Sequence, residues 1–362
     1  MSAYITSIGT ANPKNRVSQN EVHRFMTRAH QLNPEESDKL RALYRASGIS
    51  YRYSVLDDYA KEDGFEFYEN SENLEPFPST KSRNLLFKKN ALALSVSAIE
   101  DCLPYGFDKT KISHLITVSC TGLYAPGLDI ELVNALDLPL TIQRTAINFM
   151  GCYAAFNALK VANVICDSDS EANVLIVCTE LCSIHFQKEK ADDNLLANAL
   201  FGDGSAAVLV SNNPEPGQPA LAMNKFACDL LPVGIEEMAW NLGDFGFEMR
   251  LSTYVPDVID QGIDRLLNRL SVAKTSFEHY AIHPGGKKIL NVVEQKLGIS
   301  RSDNAAAHEI LREYGNMSSP TVLFVLKRLM QSMDSSNQDD RIFSLAFGPG
   351  LTLESIVFQV TT

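Results

Sequence analysis

The sequence predicts an α/β protein with a mostly parallel sheet, built as two similar halves. Three observations carry this. From residue 81 onward, short aliphatic and β-branched runs alternate with helical patterns. A Pro/Gly-rich break, Asn212-Asn-Pro-Glu-Pro-Gly-Gln-Pro219, interrupts the alternation. The pattern then restarts, which sets one half at 1–211 and the other at 220–362 of a 362-residue chain.

The elements follow in order. Residues 18–31 read as a helix: Ser18 and Glu21 make a capping box, and Val22, Phe25, Met26 and Ala29 share a face. Asn33-Pro34 opens a second helix that Ser47-Gly48 ends. Residues 57–75 hold eight acids and one Lys and read as a solvated loop. Lys81–Leu103 is helical, His114–Cys120 a buried strand and Leu128–Leu136 a short helix. Thr145–Phe149 is a strand running into a helix that starts near Cys152. Asn173–Cys178 and Ser205–Val210 are strands. After the break, Tyr254–Ser271, Lys287–Leu297 and Pro320–Met333 read as helices. His279–Ile282, Arg341–Ala346 and Leu351–Val360 read as strands.

Composition narrows the function. The net charge of −12 disfavours nucleic acid and acidic membrane surfaces as partners, although a local basic patch could hold an anionic ligand. The seven cysteines form no Cys-x-x-Cys pair, so no metal is expected, and most lie in apolar runs. No signal peptide and no membrane span are expected, and the cytoplasm is the simplest location.

Three segments carry chemistry. In Asn148-Phe-Met-Gly-Cys152, a glycine turn joins a strand to a helix, and a helix N-terminus lowers a thiol pKa. In Ala281-Ile-His283-Pro-Gly-Gly286, a strand delivers a histidine at its C-terminal edge, where α/β sites form. In Tyr314-Gly-Asn316-Met-Ser318-Ser-Pro320, an amide precedes a helix. Each alone has a plainer reading: a small hydrophobe, a turn histidine, a helix cap. Together, Cys-His-Asn is a coherent set in which an imidazolium lowers the thiol pKa and two N–H donors steady an oxyanion.

These segments, with Ala199-Leu-Phe-Gly-Asp-Gly204-Ser-Ala-Ala and Ala346-Phe-Gly-Pro-Gly350, resemble the signature blocks of chalcone-synthase-like type III polyketide synthases. The resemblance implies a homodimer of thiolase-like fold, with duplicated βαβαβ halves in a five-layered αβαβα sandwich. Cys152 would carry the acyl group, while His283 and Asn316 would polarise malonyl-CoA. A starter acyl-CoA would be extended by decarboxylative Claisen condensation, then cyclised to a pyrone or phenolic product. CoA thioesters are the substrates, and no cofactor is expected. Phe201 and Met249 match two gatekeepers, the second usually aromatic. His185 matches a cavity-lining position often held by Thr, with a structural role equally open. Ser318, Gly348 and Pro349 match further substrate-binding positions. Ala125 matches a residue that reaches into the partner's cavity. Arg41 and Arg45 match CoA-phosphate positions, but Asp38 stands where the family has a further basic residue.

Three rivals remain at this point. A type III ketoacyl synthase shares the triad but makes one condensation with a carrier protein. A Cys-His-Asn hydrolase would release the acyl group without forming a carbon–carbon bond. A degenerate family member would only bind or scaffold.

Overall fold

Apolar runs such as 174–178 and 206–210 suit strands covered on both faces, and both are buried in this molecule. The structure is a computed structural model and describes residues 3–252, 254–273 and 277–362. The strands are β1 (Tyr4–Ala11), β2 (Asn15–Ser18), β3 (Tyr51–Ser54), β4 (His114–Ser119), β5 (Gln143–Asn148), β6 (Asn173–Leu181), β7 (Asp203–Ser211), β8 (Ala220–Leu230), β9 (Met238–Gly243), β10 (Gly246–Leu251), β11 (His279–Ile282), β12 (Arg341–Gly348) and β13 (Thr352–Thr361). The helices are α1 (Gln19–Ala29), α2 (Pro34–Ala46), α3 (Thr80–Cys102), α4 (Leu128–Ala135), α5 (Ala154–Ser168), α6 (Asp192–Leu200), α7 (Val255–Leu270), α8 (Lys287–Leu297), α9 (Ala305–Tyr314) and α10 (Thr321–Met330).

Among the described residues, nine strands form one sheet in the order β11-β12-β13-β8-β1-β7-β6-β4-β5. It is mixed, which corrects the expectation of a mostly parallel sheet. β4 runs parallel to β5 and β6, and β11 runs parallel to β12. The other pairings are antiparallel. Two connections explain this. β12 returns as β13 through a turn too short for a crossover. The segment between β6 and β7 contains α6, which packs against α2 and β10 instead of recrossing the sheet.

The order also shows the duplication. A parallel pair (β4·β6, and again β11·β12) is followed by an antiparallel neighbour (β7, β13), then by the first strand of the half (β1, β8). Within the sheet the two sets join where Tyr4 and Ile5 pair with Ala222 and Leu221. α3 covers one outer face, against β1, β6 and β7. α5 and α10 lie between the sets: α5 touches β6 and β13, and α10 touches β7 and β11. α7 and α8 close the far side, α7 against β8 and β13. The result is the αβαβα layering of the thiolase-like fold.

Residues 57–75 are not solvated throughout. Tyr59, Phe65 and Tyr68 are buried around Phe25, with ring centroids 4.8, 5.6 and 5.4 Å from it. The buried Asp58 carboxylate accepts the N–H groups of Glu66, Phe67 and Tyr68. No helix among the described residues is long and apolar enough to cross a membrane.

Candidate active site

β5 ends at Asn148, and the chain turns at Gly151, whose φ is +76°. A Cβ there would lie 2.3 Å from Pro349 Cδ, so both the conformation and the space demand glycine. The turn sets Cys152 in a short 3₁₀ turn, Gly151–Tyr153, and α5 begins after it. The expected lowered thiol pKa is therefore corrected. Burial pushes Cys152 up to about 11, against the opposing effect of Ser318 and Asn316 hydrogen bonds. A helix that starts two residues late does not offset this burial.

His283 follows β11, and its backbone N–H donates to Leu345 O at 2.8 Å. The ring is fully buried, edge-on to Phe347 with centroids 5.4 Å apart. Neither ring nitrogen meets a hydrogen-bond partner among the described residues. A buried histidine of purely structural role would bond the backbone; this one does not. Burial pushes its pKa down to about 3, which favours the neutral imidazole.

Asn316 does not cap α10, whose cap position is Pro320. Its Oδ1 accepts the Ser318 N–H at 2.8 Å, which fixes the amide orientation. Nδ2 then points to Cys152 Sγ, 3.9 Å away, and to Gly285 O at 3.4 Å. The structure thus brings Cys152 and Asn316 together. His283 lies two residues before Gly285 and packs on Phe347, which lines the same cavity as Cys152 and Asn316, but its ring does not line that cavity and makes no hydrogen bond to either.

A cavity of about 350 Å³ opens over Cys152 and Asn316. Ser318 and Pro349 line it, and Gly348 lies beside Cys152, where a Cβ would come within 3.3 Å of its backbone N. Phe201 and Met249, with Cys182 and Trp240, form a wall shared with a second cavity of about 40 Å³. His185 lines only the smaller one. Its Nδ1 accepts the Phe247 N–H at 3.0 Å, so Nε2 carries the proton and donates to Thr121 O at 2.8 Å. The ring also stacks on Phe247 at 4.2 Å. His185 is thus a pin between β10 and the segment after β4. Ala125 is exposed and lines neither cavity of this chain.

Arg41 and Arg45 are not at the site. Leu43, Ala46 and Ser47 of the α2 end line the cavity. At about 100° per residue, Arg41 and Arg45 lie about 160° from Leu43 on the helix. Arg41 instead pairs with Asp38 at 3.2 Å.

Sequence reasoning missed Glu180. It is fully buried at the end of β6 and accepts from Cys120 N (2.9 Å), Thr121 Oγ1 (2.7 Å), Ser119 Oγ (3.3 Å) and Ser319 Oγ (2.7 Å). Burial outweighs these bonds and pushes its pKa up to about 7. Cys120 Sγ in turn accepts the Gly151 N–H at 3.1 Å. Glu180 therefore ties the turn below Cys152 to the loop of Asn316. A lone acid closing an apolar strand was the available signal. Lys287 and Lys288, which also line the cavity, were missed as site residues.

Residues 1–214 match the N-terminal domain of chalcone and stilbene synthases, and residues 222–362 match the C-terminal domain. The chain belongs to the chalcone and stilbene synthase family. It is similar to probable polyketide synthase 1 of Dictyostelium discoideum, at 30% identity over 365 residues. That match covers 97% of this chain but only 11% of the length of that protein. The crystal structure of the C-terminal type III polyketide synthase domain of Steely1, a type I/III hybrid from Dictyostelium, superposes with a TM-score of 0.90 at 29% identity over the full length of both chains. PKS-I of the brown alga Ectocarpus siliculosus gives 0.89 at 28% identity, covering 99% of this chain and 98% of that one.

Proposed function

We propose that the chain is a type III polyketide synthase that extends a starter acyl-CoA with malonyl-CoA. One observation carries the reading. Cys152 Sγ and the oriented Asn316 amide share a cavity, 3.9 Å apart, whose wall residue Phe347 packs on a buried imidazole with two unpartnered nitrogens, that of His283.

The steps follow from this placement. The Cys152 thiol gives its proton to the neutral His283 ring as sulfur attacks the starter thioester carbonyl. The CoA thiolate leaves and takes that proton. Malonyl-CoA then places its thioester oxygen between Asn316 Nδ2–H and the His283 N–H. Its carboxylate leaves as CO₂, and the electron pair moves onto that oxygen as an enolate, which the two donors stabilise. The enolate carbon attacks the acyl-Cys152 carbonyl, and the sulfur leaves and is reprotonated. Each cycle consumes one proton and releases one CO₂ and one CoA. No step calls for a metal or a redox cofactor. Burial of both groups favours this neutral pair, because neither must exist as an isolated charge in a dry site.

The product remains in the cavity for cyclisation to a pyrone or phenolic ring. The active form is a homodimer, and seven free thiols suit the reducing cytoplasm. The test is incubation with a panel of starter acyl-CoAs and malonyl-CoA, without any carrier protein, read by mass spectrometry. Products longer by two carbons per malonyl unit support the proposal. Hydrolysis of the thioesters alone would overturn it.

A further inference from the structure

We propose that Lys287 and Lys288, at the start of α8, form the phosphate clamp that seats the CoA portion of the substrate at the Cys152 cavity. The inference rests on the reading of the chain as a CoA-thioester condensing enzyme, and it specifies where the CoA is held.

The observations are independent of one another. Among the described residues lining the cavity, these lysines are the only members of the Asp, Glu, Lys and Arg set. The rest of the wall near them carries no charge: Leu43, Ala46, Val255, Pro256 and Ile289 are apolar, and Ser47 and Ser252 are neutral. That suits a pantetheine arm leading from an anionic head to Cys152. The chain as a whole carries −12, so a polyanion such as CoA is repelled unless a local positive pair receives it. The arginines that the family pattern suggested face away on α2, and Arg41 is held by Asp38.

Lys287 is also positioned. Its stem packs on Gly48, just beyond the end of α2, where a Cβ would meet Lys287 Cδ at 3.1 Å. This fixes the lysine across the junction of α2 and α8. Among the described residues no carboxylate forms an ion pair with it. The first turn of the eleven-residue α8 adds its N–H groups, since Gly286 at the cap offers no side chain to them. Two ammonium groups and a helix start are a suitable set for a diphosphate.

The test compares malonyl-CoA with malonyl-N-acetylcysteamine, which keeps the reacting thioester and lacks the diphosphate and nucleotide. In a Lys287→Ala/Lys288→Ala variant, KM for malonyl-CoA should rise about tenfold or more, with kcat within about twofold. KM for the truncated thioester should not move. A Lys287→Arg/Lys288→Arg variant should recover most of the loss, because it restores charge. An unchanged KM for malonyl-CoA overturns the clamp, as does an equal rise for both thioesters, which marks a structural role. If the native chain extends neither thioester, the reading of function fails first and the clamp with it.

Discussion

Glu180 has four hydrogen-bond donors around it and no cation paired with it among the described residues. Its pKa of about 7 in the folded chain exceeds the ordinary value of 4.5. Between those two values the folded chain holds the extra proton, so stability falls as pH rises through this window. Gln can replace it: the amide oxygen keeps the three donors on one side, and the NH₂ group donates to Ser319. We predict that Glu180→Gln matches the native Tm below about pH 4.5 and exceeds it by a few degrees above about pH 7. Parallel Tm curves across that range would contradict the assignment. At this scale the sequence revealed the residue types of the site but not their states. Cys152 sits between a strand and a helix as its neighbours suggest, yet its raised pKa comes from tertiary burial, which no local pattern records. The same holds for His283, whose missing partners depend on residues far away in the chain.

Individual elements were legible where local chemistry decides them. Ser18 with Glu21, and Asn33 with Glu36, form capping boxes as N-cap logic requires. The face of α2 was not legible, because the packing of Leu40 and Tyr44 sets its rotation and turns Arg41 and Arg45 outward. β1, β2, β3, β8, α6, α9 and the β9–β10 hairpin were also missed. β1 reads Tyr-Ile-Thr-Ser-Ile-Gly-Thr-Ala, a mixed run that is a strand because β7 and β8 flank it. β5 has the opposite character. It is the outer strand of the sheet, and its residues Gln143–Ala146 are exposed. Leu123, Ile130, Leu140 and Val164 are exposed on the segments around it. A bare strand edge with apolar surroundings is normally covered. An identical edge from a second copy, related by a two-fold axis, supplies such a cover. We predict that the 40.0 kDa chain sediments as a dimer of twice that mass, and sedimentation as a monomer at micromolar concentration would contradict this.

Across the whole molecule, the restarting pattern suggested two similar halves, but they share too little sequence to read as a repeat, and the order of strands shows the duplication. That order explains how Cys152 and Asn316, far apart in the chain, meet. Cys152 precedes α5 and Asn316 precedes α10, the two helices of the middle layer. His283 leaves β11 at its C-terminal end, and β11 packs on α10. The α/β class, the three residues and their family pattern were readable because they lie in short motifs. The mixed sheet and the cavity wall were not, because they depend on which strands become neighbours. The account stands on Cys152 as the acyl carrier, and the mass of the intact protein after incubation with an acyl-CoA tests that directly. The native chain should gain one acyl group, mapped by peptide digestion to Cys152, and Cys152→Ala should gain none and make no extended product. An acyl group on another residue, or chain extension at a normal rate by the variant, would contradict it.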